Sequence, residues 1–123
     1  MTDDRSLGER FEEFHLENLH VYNEFRSWAF QWVYTTGRHK LGTKALFERV
    51  RWEVRISTGD PDYKLNNNYT SCYARLLMLM EPKLDGVFEL RVSQADEWIE
   101  SQASPAMGAW IDAYQLYRGR YLF

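Results

Sequence analysis

A chain of 123 residues that is 45% hydrophobic and 16% aromatic is expected to fold as one domain, residues 1–123, because disordered segments are poor in aromatic side chains. No apolar run approaches the roughly 18 residues of a membrane-spanning helix, and the acidic N-terminus lacks the apolar core of a secretory signal. The single cysteine, Cys72, excludes an internal disulfide and favours a reducing compartment. We therefore expect a cytoplasmic protein with no membrane partner.

The charge is distributed unevenly along the chain. The net charge of −3 by itself argues against nucleic-acid binding. Residues 1–37, however, carry three basic and seven acidic side chains, residues 38–75 carry eight basic and four acidic, and residues 76–123 carry four basic and seven acidic. A basic middle between acidic ends can create a local positive face, although an ordinary mixed surface remains the alternative.

Two helices are predicted in the first third of the chain. Ser6 is a plausible N-cap of a short helix through Phe14, with a corner expected over His15–Asn18. Asn18 is then predicted to cap a long helix over Leu19–Thr36, whose aromatic and aliphatic residues recur at helical spacing. Gly37 suits the left-handed position that ends such a helix.

The middle of the chain predicts two more helices. Thr43 is expected to cap a helix over Lys44–Arg55, followed by a surface loop at Ser57–Asp62 that is rich in turn-forming residues. Three asparagines then favour a helix start, with Asn66 or Asn67 as N-cap and the helix running to about Met80.

The remaining segments predict one strand and two helices. Alternating side chains over Val87–Val92 indicate a half-buried strand, for which Tyr63–Leu65 or Val54–Ile56 is a possible partner. A capping pattern predicts a helix over Gln94–Gln102, and Ser104 followed by Pro105 predicts a last helix to Tyr117. The expected class is mainly α (α+β): a winged-helix-like core, residues 11–92, with a C-terminal helical extension, residues 93–123.

This element order leads to the first functional hypothesis, a regulator or accessory factor that binds double-stranded DNA through a helix-turn-helix variant. In winged-helix proteins the third helix of the core enters the major groove by its N-terminal residues, where Asn can contact adenine and Arg can contact guanine. Here that helix is the asparagine-led one that runs to about Met80. The loop before this helix is long for a tight helix-turn-helix, and asparagines that merely cap a helix are the alternative. The candidate base- and phosphate-contacting residues are Arg38, Lys40, Lys44, Lys64, Asn67, Asn68, Thr70, Ser71 and Arg75.

The second hypothesis is a protein–protein interaction module that binds another protein or forms a homodimer. Its support is the acidic total charge and the excess of aromatic residues, because Trp, Tyr and Arg dominate interface hot spots. The candidate exposed aromatics are Trp52, Tyr63, Tyr121 and Phe123. An enzyme ranks third and is not expected, because the sequence has no phosphate-binding glycine loop and Cys72 is interpreted as a core thiol. The three histidines lack metal-ligand spacing, so we expect neither a metal nor a cofactor.

Several segments resemble a family of small bacteriophage and prophage proteins. The shared pattern has a Phe-His-x-x-Asn-Pro-x-Val-Tyr start, an (Ile/Val)-Arg-Trp-Glu helix, a Lys-x-Asn-Asn-x-Tyr segment with Tyr-Ala-Arg, and a Phe-Glu-x-Arg end. In this chain it covers roughly Phe11–Arg91. This chain departs from the pattern at Leu19, where the family has Pro, and in its tail beyond Ser93. The resemblance implies a phage origin and a partly winged-helix-like domain but no particular activity. The matching positions are Phe14, His15, Asn18, Val21, Tyr22, Val50, Arg51, Trp52, Glu53, Lys64, Asn66, Asn67, Tyr69, Tyr73, Ala74, Arg75, Phe88, Glu89 and Arg91.

Overall fold

The structure is a computed structural model that describes residues 5–60, 63, 65–90, 95, 96, 98 and 104–121, with side chains described to residue 117. Along these residues the protein is mainly α-helical, as predicted. Ala95, Asp96 and Trp98 are also helical, in agreement with the predicted helix over 94–102, whose other residues lie outside the described part. The helices are α1 (Leu7–Glu17), α2 (Leu19–Thr36), α3 (Thr43–Thr58), α4 (Tyr69–Met80) and α5 (Pro105–Tyr121), with a 3-10 turn at Pro82–Leu84.

Helix α4 lies at the centre of the fold, because α1, α2 and α3 all pack against it. Eight of its twelve residues are buried, and Leu76, Leu77 and Met80 have no exposed surface. Tyr73 joins three helices, since its ring stacks on Phe25 of α2 at 4.5 Å between centroids and meets the edge of Phe11 of α1 at 4.8 Å. Large rings around one helix therefore form the core.

The capping residues agree with the sequence in part. Ser6 caps α1, because its hydroxyl accepts the backbone N–H of Glu9 at 3.2 Å. Gly37 ends α2 with a left-handed φ of 68°, and Pro105 opens α5 after Ser104, whose hydroxyl accepts the N–H of Met107. These three predictions are confirmed, and α5 extends to Tyr121 rather than ending at Tyr117.

The predicted corner over His15–Asn18 is wrong, because α1 continues to Glu17 and the chain breaks only at Asn18. Asn18 does not cap α2 through its side chain. Its amide instead donates to the carbonyl of Phe14 at 2.9 Å and its oxygen accepts the hydroxyl of Tyr63 at 2.9 Å. The tertiary contact with Tyr63 thus uses the oxygen that a cap would need.

Helix α3 is longer than predicted at both ends. Gly42 is the N-cap in place of Thr43, and the segment with the β-branched Val54 and Ile56 remains helical up to the left-handed Gly59. Burial of Val54 in the core explains why the helix persists there despite a modest helix propensity. At α4, Asn68 is the N-cap in place of Asn66 or Asn67, and its side chain makes no capping bond.

The predicted strand and its hairpin are absent from the described residues. Residues 87–90 form an irregular segment, and residues 91 and 92 lie outside the described part. Val87 and Phe88 are both buried although they are neighbours, which the alternating faces of a strand do not allow. Of the possible pairing partners, residues 54–56 are helical and residues 63 and 65 are irregular. A single backbone bond, from the N–H of Leu41 to the carbonyl of Val87 at 3.0 Å, joins this segment to the loop after α2.

No helix among the described residues combines the length and the apolar composition needed to cross a lipid bilayer.

The glycines of α1 and α5 give a matched test of the packing. A Cβ added at Gly8 would lie 2.4 Å from Cδ1 of Trp98, whereas one added at Gly108 would meet nothing within 4 Å. We expect Gly8→Ala to lower the free energy of unfolding by about 1–3 kcal/mol through overpacking. Gly108→Ala should instead raise it by about 0.5–1 kcal/mol, because alanine is the better helix former. Urea denaturation of both variants measures this, and equal effects would contradict the docking of Trp98 on α1.

Candidate functional site

The asparagines before α4 are exposed and bonded to their own neighbourhood. The side-chain oxygen of Asn66 accepts the backbone N–H of Asn68 at 2.9 Å, which closes a local turn. The oxygen of Asn67 accepts a hydrogen bond from Arg51 of α3. Thr70 and Ser71 follow as half-buried residues. The hydrogen bond from α3 thus occupies the side-chain oxygen of Asn67, one of the amides that were predicted to contact bases.

Arg75 lies inside the protein. It is 5% exposed, and its Nε donates to Oδ1 of Asp96 at 2.7 Å while its Nη1 donates to the carbonyl of Ser71 at 3.1 Å. Contact with a guanine base would require this guanidinium to leave a part-buried ion pair. The residue predicted to contact guanine therefore connects α4 to the helical residues near Asp96, and its guanidinium does not lie on the surface.

Three other predicted basic residues lie in the loop before α3 and in its first turn. Arg38, Lys40 and Lys44 are exposed, and the Nζ of Lys40 donates to the carbonyl of Gly86 at 3.1 Å. Lys64 lies outside the described residues. The structure thus brings three of the predicted basic residues into one exposed stretch, which we call the basic amino end of α3, and separates them from the buried Arg75.

The outer face of α3 carries two large apolar side chains. Trp52 is 61% exposed and Ile56, one turn later, is 60% exposed. Together with Arg55 and Gly59 they line a groove of about 410 Å³. Trp52 was a candidate from the sequence, whereas Ile56 was missed. Its i,i+4 spacing from Trp52, opposite the buried Val54, is the signal that could have identified it.

The remaining candidates from the second hypothesis differ from Trp52. Tyr63 is half-buried, its hydroxyl donates to Asn18, and burial raises the pKa of its phenol. Tyr121 is the last residue of α5, but its side chain and the whole of Phe123 lie outside the described part. Trp52 is therefore the one predicted interface aromatic that the structure describes as widely exposed.

A buried carboxylate organises the packing at the end of α4. Glu81, 2% exposed, follows α4, and its Oε1 accepts hydrogen bonds from Arg26 Nε at 3.0 Å, Tyr22 at 3.3 Å and Tyr114 at 2.5 Å. Burial, together with the hydrogen bond and negative charge of Glu81, raises the pKa of Tyr114 to about 12. A protonated phenol at each contact suits this arrangement, which ties α2 and α5 to the end of α4. No spacing pattern along the chain signals this arrangement.

His15 is fully buried in a group of aromatic rings. Trp110 lies edge-on at 4.3 Å between centroids, with Tyr22 at 5.6 Å and Phe11 at 5.9 Å. Neither ring nitrogen has a hydrogen-bond partner among the described residues. Burial lowers the pKa of the imidazole from 6.5 to about 4, so the ring is neutral near pH 7.

The described residues offer little for nucleophilic or metal chemistry. Burial raises the pKa of the Cys72 thiol to about 12, although the positive charge of Arg75 opposes the shift. Such a thiol is a poor nucleophile, since the thiolate is the reactive form. Within the described part of the chain, no group of three or more His, Cys, Asp or Glu side chains has the arrangement of a metal site. The exposed outer face of α3 is therefore the strongest candidate site.

Comparisons of this chain with protein-family models, with curated proteins and with solved structures find no match. The resemblance to small phage proteins stays a prediction.

The buried His15 makes stability depend on pH. Its pKa is lower in the folded state than in the unfolded chain, so the unfolded chain binds more protons as pH falls below 6.5, and stability falls with it until about pH 4. Each pKa unit corresponds to about 1.4 kcal/mol. Lowering the pH from ~7.5 to ~5 should therefore reduce the contribution of this residue to the free energy of unfolding by about 2 kcal/mol.

Chemical denaturation of the wild type and of His15→Leu at these two pH values isolates the contribution. Leucine has a similar volume and needs no hydrogen bond, so the variant should lose about 2 kcal/mol less than the wild type on acidification. Equal losses in the two proteins would show that His15 does not control the acid response.

Proposed function

We propose that this chain is a protein–protein interaction module whose contact surface is the outer face of α3. The observation that carries the proposal is the pair of apolar side chains, Trp52 and Ile56, that stand 61% and 60% exposed one helical turn apart. Contiguous exposed apolar surface rimmed by polar residues marks interaction sites, and tryptophan is enriched among the residues that dominate binding energy.

The burial of α4 favours this function over base recognition by α4. A recognition helix must offer one face to the groove, but α4 buries eight of its twelve residues against the other helices. Helix α3 has the opposite character: it buries Leu46, Phe47, Val50 and Val54 and leaves a full outer face free. Charged residues flank that face, with 52% of the Arg49 side chain exposed. Such a polar rim around apolar residues is the usual anatomy of an interface.

As part of the proposal we place the protein in the cytoplasm of a bacterial host, where it acts without a cofactor. The single cysteine suits a reducing compartment, and the resemblance to phage proteins supplies the host. A host or phage protein, or a second copy of the chain, is the partner class.

Site-specific crosslinking tests the proposal. A photoreactive benzoylphenylalanine replaces Ile56, and the matched control replaces Leu116, which is 65% exposed on α5. After irradiation in cells, position 56 should give a discrete adduct that position 116 does not give. Adding Trp52→Ser should remove the adduct, because the Trp52 side chain supplies much of the buried apolar contact. Absence of any discrete adduct from position 56, or its survival in Trp52→Ser, would refute the proposal.

Nucleic-acid binding is the second candidate function, favoured by the exposed Arg38, Lys40 and Lys44 at the basic amino end of α3. Backbone N–H groups at a helix start can also donate hydrogen bonds to a phosphate, and no described side chain caps α3. In the winged-helix-like version of this candidate, the basic residues and Lys64 contact phosphates of a DNA duplex. Asn67, Asn68, Thr70 and Ser71 at the start of α4 then lie nearest the bases.

Salt dependence tests this second candidate. Binding to pooled duplex DNA should weaken with salt with a log–log slope of about −0.9 for each phosphate neutralised. Arg38→Glu combined with Lys44→Glu should lower the affinity and reduce the magnitude of the slope by the amount that corresponds to about two phosphates. The matched control reverses two exposed charges elsewhere, Arg5→Glu with Lys83→Glu. Absence of binding at low salt, or equal losses in both double variants, would count against this candidate.

A further inference from the structure

We propose that the partner of the α3 face is a second copy of this chain, packed with its own α3 antiparallel to the first and centred on Trp52. The inference rests on the proposed function, because it names the occupant of the same surface.

The first step is the apolar stripe. Ala45, Trp52 and Ile56 are separated by seven and four residues, which places them on one side of a helix with 3.6 residues per turn. All three are exposed. Gly59 lines the same groove as Trp52 and Ile56, whereas Ala45 borders a separate groove between α3 and α2. The stripe has a large ring at its centre and small residues towards both ends. Two such stripes can cross at Trp52 without steric conflict at Ala45 or Gly59.

The second step is the charge on the two flanks of the stripe. Arg49 and Glu53 lie on one flank and form an i,i+4 ion pair at 3.1 Å, while Glu48 and Arg55 lie on the other. A two-fold axis between antiparallel helices brings each flank against the same flank of the second copy. Arg49 then meets the second copy's Glu53, and Glu48 meets its Arg55. Both pairs are centred close to Trp52, and the two-fold symmetry repeats each of them.

The third step is the orientation. The flank charges permit a parallel pair as well, but a parallel pair would bring two basic amino ends of α3 side by side. Arg38, Lys40 and Lys44 are all exposed there, so like charges would repel at close range. An antiparallel pair places the two basic ends at opposite ends of the interface. It also places each helix N-terminus near the C-terminus of the other, which suits their dipoles.

A charge-exchange experiment on the full chain tests self-pairing. The acidic variant carries Arg49→Glu and Arg55→Glu, and the basic variant carries Glu48→Arg and Glu53→Arg. Each has like charges on both flanks, so each alone should self-associate about tenfold or more weakly than the wild type at low salt. An equimolar mixture should restore a dimer, because every cross-copy pair is again of opposite charge. Sedimentation velocity measures association, and thermal melts establish that both variants are folded.

The result that overturns the inference is a wild-type chain that stays monomeric at all concentrations, or a mixture that associates no better than its components. A monomeric chain whose position 56 still crosslinks to another protein would reject self-pairing and leave the proposed function intact. A monomeric chain without any adduct would reject both.

A single cysteine tests the orientation. In the antiparallel pair, residue 45 faces the region of residue 59 in the second copy, so the two residues 45 lie about 21 Å apart along the helices. A disulfide needs Cα atoms within roughly 7 Å of each other. Ala45→Cys should therefore form no disulfide under mild oxidation, while the buried native Cys72 is common to variant and wild type. Rapid formation of a linked dimer would overturn the antiparallel arrangement.

Discussion

The burial of α4 is the constraint on which the rest of the structure depends. Three helices must cover one helix whose residues face inward on most sides, and they do so with large rings: Phe11, Phe25 and Tyr73 meet within 5 Å between centroids. Since ring pairs add specific geometry to apolar burial, this cluster fixes how α1 and α2 approach α4. It also removes α4 from the surface. Helix α4, which the sequence analysis proposed as the DNA-recognition helix, is thus mostly buried, whereas α3 carries the exposed apolar face.

Buried polar groups fix the positions of the outer elements around this apolar centre. One oxygen of Glu81 accepts hydrogen bonds from one guanidinium and two phenols, and Arg75 donates to Asp96. Each of these buried charges therefore has a partner of opposite charge. His15 is the contrasting case, because it is buried without a partner and remains tolerable only while neutral. The side of the molecule where α5 packs is therefore held by groups whose protonation state matters. The outer face of α3 contains none of these buried groups.

The sequence predicted the helices well and the irregular segments poorly. Helical spacing and capping signals such as Ser6, Gly37 and the Ser104–Pro105 pair located all five helices named above to within a few residues at most termini. These are local signals, carried by periodicity and by backbone conformations that few residues adopt. The strand predicted over 87–92 shows the limit. Residues 87–90 are irregular, and the alternation of side-chain types cannot reveal that Val87 and Phe88 are both buried. Asn18 failed as a cap because a residue 45 positions away, Tyr63, bonds its side chain.

The candidate site was predictable only in part. The sequence named Trp52 as a residue off the inward stripe of its helix, and the structure places it outward. The sequence could not identify Arg75 as buried, because its partner Asp96 is 21 residues away and no local pattern connects the two residues. Glu81 was missed for the same reason, since its partners come from α2 and α5. Long-range ion pairs depend on tertiary packing, which periodicity and spacing do not encode.

The burial of Cys72 gives the molecule a built-in reporter of its own opening. The thiol has no exposed surface, lies in the central helix, and stays protonated at neutral pH because burial raises its pKa. A thiol-specific reagent can reach it only after α4 has separated from its neighbours. The rate of modification of this one side chain therefore follows the loss of the core itself, and it needs no engineered label.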